Sequence, residues 1–148
     1  MSFQETLTAQ HRACDAEFAK IEQAVHRKDW AAAISTMQAF VDDTEAHFHY
    51  EEQTLFPALE AVAPMAAGPT AVMRSEHAQM RELFDALSAA SQTEDADAFA
   101  DAAETLLLLM QQHNMKEENI LYPMCDQAIG DDPAVAVAVD AVAAGEGA

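Results

Sequence analysis

The stretch His47-Phe48-His49-Tyr50-Glu51-Glu52-Gln53-Thr54-Leu55-Phe56-Pro57 recurs, with its key positions in register, as His113-Asn114-Met115-Lys116-Glu117-Glu118-Asn119-Ile120-Leu121-Tyr122-Pro123. Both copies read H-x-x-x-E-E-x-x-L-aromatic-P. Four residues make about one turn of an α-helix, so the histidine and first glutamate of each copy share a face and can close on a single point. That is a metal-ligand spacing, and it requires the stretch to be helical.

The repeat extends outward from the motif. His47 and His113 stand 66 positions apart, as do His11 and His77, and Gln10-His11 with Phe18 becomes Glu76-His77 with Phe84. The chain therefore reads as two copies of a helix pair. In each copy the first helix brings one His, and the second brings a His and a Glu.

Periodicity fixes the four helices. Ser2 and Glu5 form a capping-box pair, after which Gln4, Leu7, His11, Cys14, Phe18, Ile21 and Val25 make the inward seam of a helix over about 3–27. Asp29 suits the cap of a second helix, from Trp30 to about Ala61, with Ala33, Met37, Phe40, Thr44, His47, Glu51 and Leu55 inward. Pro57 falls within it and should kink its last turn, as should Pro123 in the second copy.

Val62 to Gly68 reads as a connection, with Pro69 at the first position of a third helix that ends near Ser91 and carries Thr70, Met73, His77, Met80, Phe84 and Leu87 inward. The fourth helix is expected from about Asp95 to Ile129, with Phe99, Ala103, Leu106, Met110, His113, Glu117 and Ile120 inward, closed by Gly130. The expected architecture is all-α, an antiparallel up-down-up-down four-helix bundle over residues 1–130. Residues 131–148 form a tail read as a short helix packed on the bundle. At about 1.5 Å of rise per residue, all six His and Glu positions fall at one level of such a bundle.

Composition narrows the function classes. A chain of 148 residues, 51% hydrophobic with few Gly and Pro, can bury a helical core as one domain. A formal charge of −19 excludes nucleic acid and anionic membrane surfaces as natural partners, because both need clusters of Lys and Arg. The first residues lack a basic region followed by an apolar core, and no apolar run approaches membrane-spanning length, so a cytoplasmic protein is expected. Cys14 and Cys125 lack C-x-x-C spacing and read as thiols.

Four imidazoles and two carboxylates make a site harder than a zinc-thiolate centre and richer in nitrogen than a magnesium or calcium site. Non-haem iron is the natural occupant, with zinc or another first-row metal as a substitute. The twofold repeat favours two ions, each with two His and both Glu as shared bridges. An oxo or hydroxo bridge would bring each to five ligands and leave one position open. Glu52 and Glu118 are candidates to orient ligand imidazoles through their second nitrogens. Asp15 is a further one, although its repeat partner is Arg81. His49 lies about 200° round the helix from His47 and points to the surface, and His26 suits a helix C-terminus.

The pattern of His11, His47-x-x-x-Glu51, His77 and His113-x-x-x-Glu117, with E-x-x-L-aromatic-P after each motif, resembles the hemerythrin-like family, also called HHE cation-binding domains. The resemblance covers nearly the whole chain to about Ile129. It implies a carboxylate-bridged di-iron centre that binds dioxygen for sensing, storage or delivery, with His11, His47, His77 and His113 as terminal ligands and Glu51 and Glu117 as bridges. Alternatives of another class are a di-iron enzyme acting on peroxide or nitric oxide, and an iron-storage or iron-sensing protein. One departure is visible: oxygen-carrying hemerythrins place a second His one turn from the first on the third helix. Here the flanking positions are Met73 and Arg81.

Overall fold

A computed structural model describes residues 2–135, and their order is α1 (Phe3–His26), α2 (Trp30–Tyr50), a π-helical turn (Glu51–Leu55), α3 (Phe56–Val62), a 3-10 turn (Pro64–Ala66), α4 (Ala67–Gln92), α5 (Ala96–Lys116), a second π-helical turn (Glu117–Leu121) and α6 (Tyr122–Ile129). No strand occurs among the described residues. The capping residues act as their chemistry requires: Ser2, Asp29 and Asp95 each accept from the backbone N–H three residues on. The third-residue turns after α1 and α4 are also copies, with Lys28 and Glu94 both left-handed at φ 60° and 55°. In both turns the following N–H reaches back five residues, Asp29 to Ala24 and Asp95 to Ala90, each at 2.9 Å.

The helices pack as an antiparallel bundle, α1 on α2, α4 on α5, and α2 on α4, while α3 and α6 carry on the lines of α2 and α5 and pack on one another. Its apolar interior is in two parts. The larger contains Phe18, Phe40, Phe84 and Leu106, and the smaller contains Leu7, Leu55, Leu59, Met73 and Tyr122. Full burial of each such side chain is worth about 1.5–3 kcal/mol relative to exposure. Cys14 lies in the larger part and Cys125 in the smaller, each as a buried thiol and not in a disulfide with the other.

The two prolines do more than kink a last turn. Over Glu51–Leu55 and Glu117–Leu121 the helix widens, so that the Phe56 N–H donates to the Glu51 carbonyl and the Tyr122 N–H to the Glu117 carbonyl, five residues back. A regular turn would drive the ring of Pro57 into the Gln53 carbonyl and that of Pro123 into the Asn119 carbonyl; a wide turn relieves this. The extra residue per turn also resets which side chains face inward. Ile120, expected inward, is 55% exposed, and Leu121 and Tyr122 are buried in its place.

Two smaller expectations also change. Gln4 is on the surface, where its Nε2 donates to the Glu118 carbonyl, and Phe3 takes the inward place. Gly130 has a right-handed φ of −59°, so it does not end the helix by a left-handed cap. It is needed for space: a Cβ there would stand 2.3 Å from the Asp126 carbonyl oxygen. The expected C-terminal helix falls mainly on residues 136–148, outside the described residues. Within them, Val135 is buried and its carbonyl accepts from the Tyr50 hydroxyl at 3.2 Å.

Candidate metal centre

All six His and Glu positions singled out by the repeat meet between the two apolar regions. His11, His47, Glu51, His77, His113 and Glu117 are all buried, with Glu51, His77 and Glu117 at 0% exposure. The imidazoles come in pairs, His11 with His47 and His77 with His113, each pair with ring centroids 4.9 Å apart. Two carboxylates lie between the pairs. Glu51 turns Oε2 to His47 Nε2 at 3.4 Å and Oε1 to His77 Nε2 at 3.2 Å, while Glu117 Oε1 is 3.2 Å from both His11 Nε2 and His113 Nε2.

Several of these contacts have the distance of a hydrogen bond without its direction. Nε2 of His77, Nε2 of His113, Oε1 of Glu51 and Oε2 of Glu117 are buried and have no hydrogen-bond partner among the described residues. Each such group would cost about 1–3 kcal/mol if left that way. The donor atoms fall into two groups in which all lie within 4.8 Å of one another, Glu51 with His77, His113 and Glu117, and His11 with His47 and Glu117. Neutral imidazole and carboxylate are the donor set of a first-row metal, and a cation between them satisfies every orphaned atom at once.

The outer imidazole nitrogens are all held. Nδ1 of His11 meets Glu118 at 2.8 Å, Nδ1 of His77 meets Glu52 at 2.7 Å, Nδ1 of His113 meets Glu76 at 2.8 Å and Nδ1 of His47 meets Gln10 at 2.7 Å. A carboxylate or amide oxygen accepts, so Nδ1 carries a hydrogen and Nε2 is the nitrogen left facing inward for an ion. Glu52 and Glu118 thus take the orienting positions expected of them. Gln10 and Glu76 were not foreseen, though they are repeat partners standing directly before His11 and His77. His11 gives its Nδ1 to Glu118 rather than to Asp15.

The field of the cluster favours positive charge. Burial lowers the His113 imidazole, but the carboxylates of Glu117 and Glu51 more than reverse this and bring it to about 9. His11 is raised in the same way, burial being outweighed by Glu117 and its neighbours. Burial pushes Glu51 up, yet His47 and the surrounding hydrogen bonds hold it well below the usual carboxylate range.

Aromatic side chains wall the site unequally. Phe48 stacks on His77 at 3.9 Å and 13°, with Phe56 on the same imidazole at 6.2 Å and 17°. Tyr122, the repeat partner of Phe56, sends its hydroxyl into the His11 side. There it lies 3.1 Å from His11 Nε2, 3.2 Å from His47 Nε2, 2.6 Å from Glu51 Oε2 and 3.0 Å from Glu117 Oε1. Burial, with the charges of Glu117 and Glu51, pushes the phenol well above its ordinary value. In a regular helix Tyr122 would sit about 140° round from Glu117; the wide turn brings it to the site. The proline two positions after each aromatic-preceding leucine was the available signal. Of the other histidines, His49 is exposed as expected, and His26 stands in the last turn of α1.

Comparison with family models matches residues 2–125 to the hemerythrin HHE cation binding domain. Comparisons with curated proteins and with solved structures give no match. No helix among the described residues is long and apolar enough to cross a membrane.

Proposed function

The chain belongs to the hemerythrin HHE cation-binding family, and from that premise we propose that it is a non-haem di-iron protein that binds dioxygen, for sensing, storage or delivery in the cytoplasm. In this reading His11 and His47 hold one ion, His77 and His113 hold the other, and Glu51 and Glu117 bridge them. The observation that carries it is the placing of each glutamate between the histidine pairs, with buried nitrogens and oxygens aimed inward and unsatisfied. Iron, when bound, supplies the electrons and the open coordination position that dioxygen needs.

The protein's own part is positional. Glu118, Glu52, Glu76 and Gln10 hold the imidazoles by Nδ1 before any ion arrives, so that Nε2 is the nitrogen turned to the centre and an ion need only displace a proton there. The apolar regions on both sides keep water from the site and strengthen every charge interaction inside it. Absorption spectra of the anaerobically reduced, iron-loaded chain before and after air test the reading. A band that appears with air and disappears under vacuum is expected.

A second reading, an enzyme acting on peroxide or nitric oxide, draws on Met73. This residue is 2% exposed in the smaller apolar region and offers no imidazole where the oxygen carriers have one. Irreversible bleaching in air, with consumption of added hydrogen peroxide or nitric oxide, would favour it.

A further inference from the structure

Four polar atoms surround the Tyr122 hydroxyl within 3.2 Å, two imidazole nitrogens and two carboxylate oxygens, and a phenol has one hydrogen to give. Such a crowding of metal-donor atoms about one oxygen is what a cation among them resolves. Two donors bound at right angles to one first-row ion, each about 2.1 Å away, lie about 3.0 Å apart. The separations of the phenol oxygen from its four neighbours, 2.6 to 3.2 Å, are of that size.

Resting on the di-iron reading, we propose that Tyr122 is a fifth protein ligand, bound through its phenol oxygen to the ion held by His11, His47, Glu51 and Glu117, and that the His77–His113 ion is the one open to small ligands. Phe56 occupies the corresponding place on the second side and carries no donor atom; its ring stacks on His77 under the guanidinium of Arg74. On binding, the phenol O–H bond is replaced by an oxygen–metal bond. The proton is released to solvent and the metal keeps its oxidation state. Tyr122 then takes, on the opposite side of the centre, the closing part that the missing imidazole at Met73 leaves vacant.

The test loads the full chain with ferrous iron without air, lets dioxygen oxidise it to the ferric form, and records visible absorption and resonance Raman spectra with iron content. A phenolate-to-ferric charge-transfer band with enhanced phenolate ring vibrations is expected. Tyr122→Phe should lose both while keeping iron and helical circular dichroism, and Phe56→Tyr should intensify the band. Azide serves as the small-ligand probe: the natural chain should take up one equivalent, and Tyr122→Phe a second.

Tyr50 is the other tyrosine of the chain, so Tyr50→Phe must keep the band; this control decides the assignment even where Tyr122→Phe fails to fold. Iron-loaded protein without a phenolate signature, or a signature lost in Tyr50→Phe or surviving in Tyr122→Phe, overturns the assignment and leaves the di-iron reading standing. A chain that takes up no iron overturns both.

Discussion

The two sides of the centre are built on one scaffold and surrounded by different chemistry. On the His77–His113 side the orienting carboxylates have cations of their own: Arg81 grips Glu52 with two nitrogens at 3.1 Å, and Lys116 meets Glu76 at 2.6 Å. Phe48 and Phe56 wall that side with apolar rings. On the His11–His47 side, Asp15 stands where the repeat has Arg81, Asn114 where it has Phe48, Gln10 where it has Glu76 and Tyr122 where it has Phe56. The repeat preserves what places ligands, and the departures from it set what each ligand pair meets. On the two-ion reading, a difference in function between the sides can therefore arise from positions that the motif leaves free to vary and from neighbours outside it.

The largest expected effect removes the comparison altogether. Chelation deprives both sides of their cation and leaves six buried polar groups facing one another, so the melting temperature should fall by roughly 15–30 °C, given about 8 kcal/mol for two sites each at ~1,000-fold excess over Kd. Differential scanning calorimetry with verified metal content decides it, and an unchanged curve would mean that the six residues satisfy one another. Metal analysis then separates the sides: from about two ions per chain, His11→Ala and His77→Ala should each lose about one. A single ion abolished by either substitution is incompatible with a bridged pair.

The bundle and the six inward residues were legible because they rest on spacing. Four-residue intervals, capping residues and a 66-residue repeat all survive tertiary packing. Tyr122 was not legible, since a regular helix would have turned it away and brought Ile120 inward; the wide turns at Glu51–Leu55 and Glu117–Leu121 reverse that order. Proline signals a disturbed turn without saying whether the helix kinks or widens. The orienting role of Gln10 and Glu76, which the repeat marks only as partners, was not legible for another reason. Each orients an imidazole on the neighbouring helix, and contacts between helices have no signature in the spacing along one.

A smaller effect is expected from exchanging that unequal pair. Glu76→Gln should weaken uptake of one ion about tenfold or more, because a carboxamide makes His113 a poorer donor than a carboxylate does. Gln10→Glu should act oppositely through His47 and bring the sides closer together. Calorimetric titration of the metal-free chain with ferrous iron reads both changes. If the two substitutions leave the binding steps where they were, Gln10 and Glu76 serve packing alone, and the inequality of the sides rests on Tyr122 and the cations.

The smallest effect concerns a place where the halves agree. Lys28 and Glu94 hold the same left-handed conformation in equivalent turns, φ 60° and 55°, although neither is a glycine. For an L residue that conformation costs roughly 1 kcal/mol, and a glycine is spared most of it. Part of the gain is returned, because glycine makes the unfolded chain more flexible. Lys28→Gly and Glu94→Gly should therefore each stabilise the chain by up to about 1 kcal/mol, and by similar amounts. Urea denaturation of the metal-free protein, with the slope unchanged, measures this apart from the ligands. Equal gains would locate the asymmetry in the side chains around the centre. Unequal gains would show that the two helix pairs differ in their backbone as well, and that the centre inherits some of its inequality from the scaffold.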